Sequence, residues 1–155
     1  MIDVILEDDA WEAAEPRAAA LAEIAALAVL THERAGEPDI AILLADDARL
    51  AELNAAFRGK QGPTNVLSFP AASGAEAPES GSLGDIALAF GVCAREAADQ
   101  GKSLAHHLQH LTAHGVLHLL GYDHESDAEA EAMEAKERAI LAGLGVADPY
   151  ATRTL

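Results

Sequence analysis

The sequence predicts an α+β fold, an α/β sandwich in which a mixed four-stranded sheet packs with about five helices. Three observations lead to this prediction. The chain has 155 residues, of which 50% are apolar, and this is enough to bury a core within one domain. Four short runs are rich in apolar residues, and longer runs rich in alanine and leucine lie between and after them. No internal repeat or linker interrupts the chain, so we expect a single domain over residues 1–155.

The predicted strands are short and lie at residues 2–6, 39–44, 65–69 and 83–90. Because residues 40–44 are continuously apolar, we expect the second strand to be buried on both of its faces. Residues 71–82 are small, polar and aperiodic, and they predict a flexible surface loop between the third and fourth strands.

The predicted helices lie at residues 12–35, 48–57, 92–100, 103–120 and 127–144. Gly36 and Pro38 end the first of them. Asp46 is a candidate N-cap for the second, because its carboxylate can accept a backbone N–H from the first helical turn.

The charge of the chain is strongly acidic but unevenly distributed. A formal net charge of −16 argues against nonspecific binding to nucleic acid. Two long windows nevertheless contain no Asp or Glu, namely residues 53–75 and 100–122. If these windows meet in the fold, they form a neutral-to-basic patch on an acidic body.

The chain shows no sign of export or of membrane insertion. No basic region precedes the short apolar run at the N-terminus, so we do not expect a signal peptide. The longest apolar stretch, residues 18–30, is too short for a membrane span and contains Glu23. Cys93 is a lone cysteine in an apolar stretch, so we expect a buried, inert thiol and a reducing compartment. We therefore predict a soluble, cytoplasmic protein.

The segment HGVLHLLGYDH, residues 114–124, carries the clearest chemical signal. His114 and His118 stand four residues apart on one face of a helix, so both imidazoles can reach one ion. Gly121 can end that helix in the left-handed conformation, which lets His124 return to the same ion. Three protein ligands and one open position are the arrangement of a catalytic zinc site, so the segment predicts metal-assisted hydrolysis.

The alternative is an incidental cluster, because the same predicted helix carries three more histidines. His110 lies one turn before His114 and is a candidate to contact a ligand rather than the ion. His106, His107 and the remote His32 are interpreted as ordinary surface or core residues.

The histidines fall on the metzincin protease pattern H-E-x-x-H-x-x-G-x-x-H with one departure. Gly115 stands where those proteases have the glutamate that acts as general base. Either another group takes the proton or the metal alone activates the attacking water. Asp123 could orient an imidazole or accept a proton, and it could equally cap the turn.

Two further segments could carry chemistry. Residues 53–70 contain Arg58, whose planar fork of donors suits a phosphate, and Lys60, which adds a second positive charge. A lone arginine in a loop is, however, more often a surface residue. Gly84 and Asp85 inside a predicted strand indicate a close backbone approach, a carboxylate behind a metal ligand, or a bulge with a surface aspartate.

These segments together resemble the YbeY family, whose bacterial single-domain members are described as endoribonucleases and rRNA maturation factors. HGVLHLLGYDH matches the family signature HGxLHLxGYDH, and LNAAFRGKQGPTNVLSFP, LGDIAL and MEAKERAILAGLGVADPY resemble its other motifs over nearly the full chain. The resemblance implies a metal-dependent hydrolase domain with one zinc ion per chain, bound by His114, His118 and His124. It also implies a functional arginine at Arg58. Asn65, where the family often has aspartate, is a small departure.

We therefore expect a zinc-dependent, single-strand-specific endoribonuclease that takes part in small-subunit rRNA maturation and ribosome quality control. Its expected partners are single-stranded rRNA and the ribosome or ribosomal proteins. Arg58 would neutralise charge on the phosphate in the transition state, and Asp123 is a second catalytic candidate. Two alternatives stay open: a non-catalytic, zinc-containing ribosome-associated maturation factor, and a metzincin-like metallopeptidase, which the missing glutamate disfavours.

Overall fold

The structure is a computed structural model of the chain, and it describes residues 1–71 and 82–150. Residues 72–81, most of the predicted surface loop, lie outside the described residues, as do residues 151–155. Within the described part, the four strands are Ile2–Leu6 (β1), Asp39–Ala45 (β2), Val66–Pro70 (β3) and Ser82–Ala89 (β4). The six helices of the same residues are Ala10–Ala14 (α1), Ala18–His32 (α2), Asp47–Arg58 (α3), Phe90–Gln100 (α4), Leu104–Leu119 (α5) and Asp127–Gly143 (α6).

The described strands form a mixed sheet in the order β1-β2-β4-β3. β1, β2 and β4 run parallel to one another, and β3 runs antiparallel to β4 at one edge of the sheet. In this register Ile42 lies between Val4 and Ile86, and Ser68 lies opposite Ile86. The prediction of an α+β fold with a mixed four-stranded sheet is confirmed.

The long helix predicted at residues 12–35 is in fact two helices, α1 and α2, which is why six helices are found rather than about five. The break lies at Pro16. Glu15 is extended, with φ −143° and ψ 97°, because the ring of a following proline disfavours the helical conformation of the residue before it. Proline also has no N–H to donate to the preceding turn.

α2 carries the longest apolar stretch of the chain and spans 15 residues. Leu21, Ala22, Ala26, Val29 and Leu30 are buried in the core beneath the sheet. None of the helices in residues 1–71 and 82–150 has both the length and the apolarity needed to cross a bilayer.

One side of the sheet, which we call the covered face, is sealed by helices. The most deeply buried side chains of this face are at most 2% exposed, and they are Ile40, Ile42, Leu44, Ile86 and Leu88. α2 packs against β1, and α5 packs against β3 and β4. Residues of these helices and of α6 join the same apolar cluster. The covered face therefore holds the main core and supports α5, the helix that carries most of the histidines.

The opposite side, which we call the open face, carries Ala41, Leu43, Leu67, Phe69, Asp85 and Ala87. A smaller apolar cluster forms where α3 packs on β3 and β4, with Leu50 at its centre. The expectation that β2 is buried on both faces is wrong, because Ala41 and Leu43 are only partly buried. α3 is a single helix and covers the β3–β4 half of the sheet, so part of the β1–β2 half stays accessible.

Candidate metal centre

The end of α5 sets the position of the third histidine. Ser103 caps the start of α5 by accepting the backbone N–H of His106 at 3.1 Å. At the other end, Gly121 has φ +101°. The N–H of Tyr122 donates to the carbonyl of Leu117, and that of Gly121 donates to the carbonyl of His118. This is a Schellman ending, which a glycine favours, and it turns the chain back toward the helix as the sequence predicts.

His114, His118 and His124 come together at this turn. Nε2 of His114 and Nε2 of His118 are 3.1 Å apart, and one ligand atom from each of the three rings lies within 4.8 Å of the others. Three imidazole nitrogens at this spacing fit zinc, whose bonds to histidine are about 2.0–2.1 Å long. Burial, with smaller contributions from His114 and His124, lowers the pKa of His118. The neutral ring, which is the form that binds a metal, is thereby favoured.

Glu137 of α6 fixes the orientation of His114. Its side chain is fully buried, and its Oε1 lies 2.7 Å from Nδ1 of His114. Burial alone would raise the pKa of Glu137, but hydrogen bonds from His110, His114 and Tyr150 outweigh it and lower the pKa to about 2. An ionised carboxylate only accepts hydrogen bonds, so Nδ1 of His114 carries the proton. The lone pair of a neutral His114 is then on Nε2, which faces the other two histidines.

Tyr150 and His110 complete the surroundings of this carboxylate. The hydroxyl of Tyr150 donates to Oε2 of Glu137 at 2.6 Å, and burial followed by the Glu137 contact raises the pKa of Tyr150. Nε2 of His110 lies 3.5 Å from Oε1 of Glu137 and 3.3 Å from the Tyr150 hydroxyl. His110 therefore contacts the Glu137 carboxylate, and its ring lies edge to face with that of His114 at 6.4 Å between centroids. It touches a candidate ligand without belonging to the cluster, as its spacing from His114 indicates.

The remaining histidines lie apart from the cluster. Among the described residues, His114, His118 and His124 form the one group of this kind with metal-binding geometry. His106 is exposed, and His32 on α2 pairs with the neighbouring Glu33. His107 is buried and its Nε2 lies 2.9 Å from Oε1 of Glu96.

The two acid-free windows of the sequence meet at the cluster. A cavity of about 580 Å³ is lined by the three histidines together with Arg58 and Lys60. Arg58 is the last residue of α3, which ends at Gly59 in the left-handed conformation with φ +63°. Asp123 and Glu125 are the acids that line this cavity. The result is a site in which two cations, two carboxylates and three imidazoles face one space.

The loop that carries Lys60 is held by two asparagines that also line this cavity. The side chain of Asn54 donates to the carbonyl of Gly62 at 2.9 Å. Asn65 donates to Oε1 of Glu96 at 3.0 Å, the same atom that pairs with His107. This loop, which forms one wall of the cavity, is thus anchored to α3 at one end and to α4 and α5 at the other.

Gly115 lies where α5 packs against the sheet. A Cβ at this position would come within 3.1–3.2 Å of Ile86 and Ser68, and the Ser68 hydroxyl donates to the Gly115 carbonyl at 3.2 Å. The glycine therefore allows close packing of helix on sheet. Because glycine carries no carboxylate, position 115 supplies no general base.

A comparison with known protein families shows which family the chain belongs to. A family model described as "Endoribonuclease YbeY" matches residues 5–145, most of the chain. The chain belongs to the YbeY family. The YbeY signature recognised in the sequence, residues 114–124, is the segment that forms the histidine cluster.

YbeY relatives match over nearly the whole chain. A protein of Rhodopseudomonas palustris named Endoribonuclease YbeY is 51% identical over 152 residues, covering 96% of this chain and 80% of its own. The protein of that name from Azorhizobium caulinodans is 52% identical, covering 97% and 96% of the two chains. A solution structure of TM1509 from Thermotoga maritima is similar at 25% identity, with a TM-score of 0.57 over 98% of this chain and 100% of the other.

The other residues that the YbeY motifs single out lie in different places. Asp123 lines the cavity, and its Oδ1 accepts the backbone N–H of His124 at 2.7 Å, which is the turn-capping contact considered as an alternative.

Asp85 lies on the open face and does not line the histidine cavity, so the interpretation of Asp85 as a carboxylate behind a ligand is wrong. Gly84 has φ +142°, and a side chain there would strike the backbone of β3. Cys93 is buried, and burial raises the pKa of its thiol.

Glu137 and Tyr150 are site residues that the sequence reasoning missed, although the first leaves a signal. Met133, Ile140 and Leu141 form the buried stripe of α6, and Glu137 stands on that stripe four residues from two of them. An acid on the apolar face of a helix indicates a buried partner. Tyr150 leaves no such signal, because it lies in the irregular segment after α6.

Proposed function

We propose that this chain is a zinc-dependent endoribonuclease that cuts single-stranded RNA during small-subunit rRNA maturation and ribosome quality control in the cytoplasm. The observation that carries the proposal is the shared cavity of His114, His118 and His124 with Arg58 and Lys60. Membership of a family whose relatives are named endoribonucleases supports RNA as the substrate. The proposed partners are single-stranded rRNA and the ribosome or ribosomal proteins.

In this proposal the three histidines hold one zinc ion per chain. When bound, zinc supplies Lewis-acid chemistry at a phosphate oxygen. Arg58 offers a bidentate donor pair to the phosphate and neutralises charge that builds up during cleavage. Lys60 adds a second positive charge at the same cavity and favours binding of the RNA backbone.

The proton acceptor in this proposal is a carboxylate that lines the cavity. Gly115 cannot serve, because glycine has no side chain that could accept a proton. Asp123 is the proposed candidate, because it lines the cavity beside the ligand His124. Its hydrogen bond to the His124 backbone uses one carboxylate oxygen and leaves the other to accept a proton.

A non-catalytic ribosome-associated factor is the second candidate. The missing glutamate at Gly115 and the net charge of −16 favour it, since the first removes a familiar base and the second weakens unaided RNA binding. In that case zinc would organise a surface that docks on the ribosome. The same missing glutamate disfavours a metallopeptidase.

The deciding experiment is cleavage of a labelled small-subunit rRNA fragment by the zinc-loaded protein, with and without a chelator. His114→Ala removes one proposed ligand, and His106→Ala removes an exposed histidine of the same helix and serves as the matched control. We expect cleavage by the wild-type and His106→Ala proteins and none by His114→Ala or after chelation. Equal cleavage in all samples, or none, would favour the non-catalytic factor.

A further inference from the structure

We propose that Phe57 and Phe69 form a stacking site for a base of single-stranded RNA next to the phosphate at Arg58. This inference rests on the proposed function and extends it, because it names the part of the substrate that a second cavity receives. The phenyl rings lie on the open face of the sheet and not among the histidines.

Phe57 is unusually accessible for an aromatic side chain. It is 69% exposed, and it is the one aromatic residue among the large apolar side chains that residues 1–71 and 82–150 expose. It stands in the last turn of α3, two residues before the left-handed Gly59 that ends the helix. Its backbone is therefore fixed while its ring is presented to solvent.

The two rings leave a stacking surface free. The centroids of Phe57 and Phe69 are 5.3 Å apart and the ring planes meet edge to face at 65°. In this arrangement one ring covers at most one face of the other, so at least one face of Phe57 has no contact with Phe69. Every nucleobase offers a flat π-face to such a ring, and stacking of this kind tolerates any sequence.

The space in front of the rings is large enough for a nucleotide and suits a base. A cavity of about 800 Å³ runs along the open face from Ile5 to Phe57 and Phe69. Its lining is mostly apolar, and Arg58 and Asp85 are the charged residues among the lining residues. A mostly apolar groove that Arg58 also lines matches a base attached to a phosphate.

This groove adjoins the histidine cavity. Arg58, Ser68 and Pro70 line both spaces. Phe57 directly precedes Arg58, so their Cα atoms are about 3.8 Å apart. A phosphate held by Arg58 would therefore have an adjoining base within reach of Phe57. Positive groups that follow the backbone and aromatic rings that receive the bases are the common combination in proteins that bind single strands.

The test is the affinity of the zinc-loaded full chain for a labelled, 2′-O-methyl single-stranded oligonucleotide, measured by fluorescence anisotropy. The modification blocks attack by the 2′-oxygen, and electrophoresis after each titration checks that the strand is intact. We expect Phe57→Ala to weaken binding about 5- to 150-fold, the range of one stacked base. Phe57→Trp, which keeps a ring, should stay within about threefold of wild type.

Two controls make this result specific. Leu27→Ala shortens an exposed apolar side chain on α2, outside both cavities, and should leave the affinity unchanged. A series of oligonucleotides with one abasic nucleotide at successive positions should contain one member that wild type and Phe57→Ala bind equally, because that member lacks the stacked base. Circular dichroism checks that each variant folds.

The proposal is overturned if Phe57→Ala binds the intact strand as wild type does, or if its loss of affinity is the same for every abasic member. A wild-type dimer that Phe57→Ala dissociates, with RNA affinity unchanged, would instead assign the groove to a second copy of the chain. The experiment measures binding and not cleavage. An absence of cleavage would refute the proposed activity, whereas these affinities alone decide whether the stacking site exists.

Discussion

The covered and open faces of the sheet are built from the same strands and differ in what lies on them. On the covered face, α2 and α5 bury Ile42 and Ile86 completely or nearly so. On the open face, α3 covers β3 and β4 and leaves Leu43 partly accessible. Neighbouring residues of one strand therefore have very different surroundings.

This difference gives the two faces different roles. The covered face holds the candidate metal centre in place, and the open face beside it offers accessible side chains. His114 and His118 need fixed positions, and α5 gains them by packing Gly115 closely on Ile86. A surface for a long, flexible substrate needs accessible side chains, and the open face keeps Phe57 exposed at its edge. Arg58 lies where the two regions meet, since it lines both cavities.

The largest expected effect compares two adjacent residues of β2. Ile42→Ala removes a fully buried side chain from the covered face and should lower the free energy of unfolding by about 2–5 kcal/mol. Leu43→Ala acts on the open face and should cost about 1 kcal/mol, because its site is partly exposed. Urea denaturation of both variants measures the difference. Equal losses would show that the open face is as tightly packed as the covered one.

The next effect concerns the residue that joins the two regions. Arg58→Ala should slow RNA cleavage about 100-fold or more, because a donor to the developing phosphate charge is lost. Zinc content should remain one per chain, since Arg58 is outside the histidine cluster. Single-turnover kinetics and metal analysis measure the two quantities. Arg49→Ala, on the same helix and paired with Glu7 and Glu52, is the control and should cleave normally. Loss of zinc from Arg58→Ala would contradict the assigned role.

A smaller effect is expected at the carboxylate behind His114. Glu137→Gln should weaken zinc binding about 10- to 100-fold, because a neutral amide holds the Nδ1–H of His114 less strongly. Competition with a chromogenic chelator gives the affinity. Glu134→Gln changes a partly exposed acid on the same helix, paired with Arg138, and should bind zinc as wild type does. If both variants bind zinc equally well, Glu137 does not support the site.

The smallest effect is a pH dependence of stability from His107. Burial lowers the pKa of His107 below 6.5 although Glu96 opposes the shift. The unfolded chain therefore binds the proton first, and the contribution of His107 to stability falls as pH drops below about 6.5. The metal-free wild type should lose more free energy of unfolding between pH 7.5 and 5.5 than His107→Gln does, by about 1 kcal/mol or less. Parallel pH profiles from urea denaturation would refute this.

The features predicted correctly from the sequence depend on local spacing. The four-residue interval of His114 and His118 and the glycine turn at Gly121 involve neighbours along the chain, so the pattern alone gives their geometry. Whether the two acid-free windows meet depends on the fold, because no local pattern says that Arg58 approaches His114, which lies 56 positions later in the chain.

The features that were missed depend on contacts between residues far apart in the sequence, or on which helices cover the sheet. Glu137 meets His114 across 23 positions, and Asn65 meets Glu96 across 31. The apolar run of β2 reads as fully buried, yet which helices cover it depends on the whole chain. The break before α2 could have been read locally, since Pro16 disfavours a helical Glu15.

The most direct test of the account is a crystal of the zinc-loaded protein measured on either side of the zinc absorption edge. We expect one anomalous peak per chain, placed among the nitrogens of His114, His118 and His124, with Glu137 still hydrogen-bonded to Nδ1 of His114. A peak elsewhere, for example between His106 and His110, or no peak in protein shown to contain zinc, would contradict it.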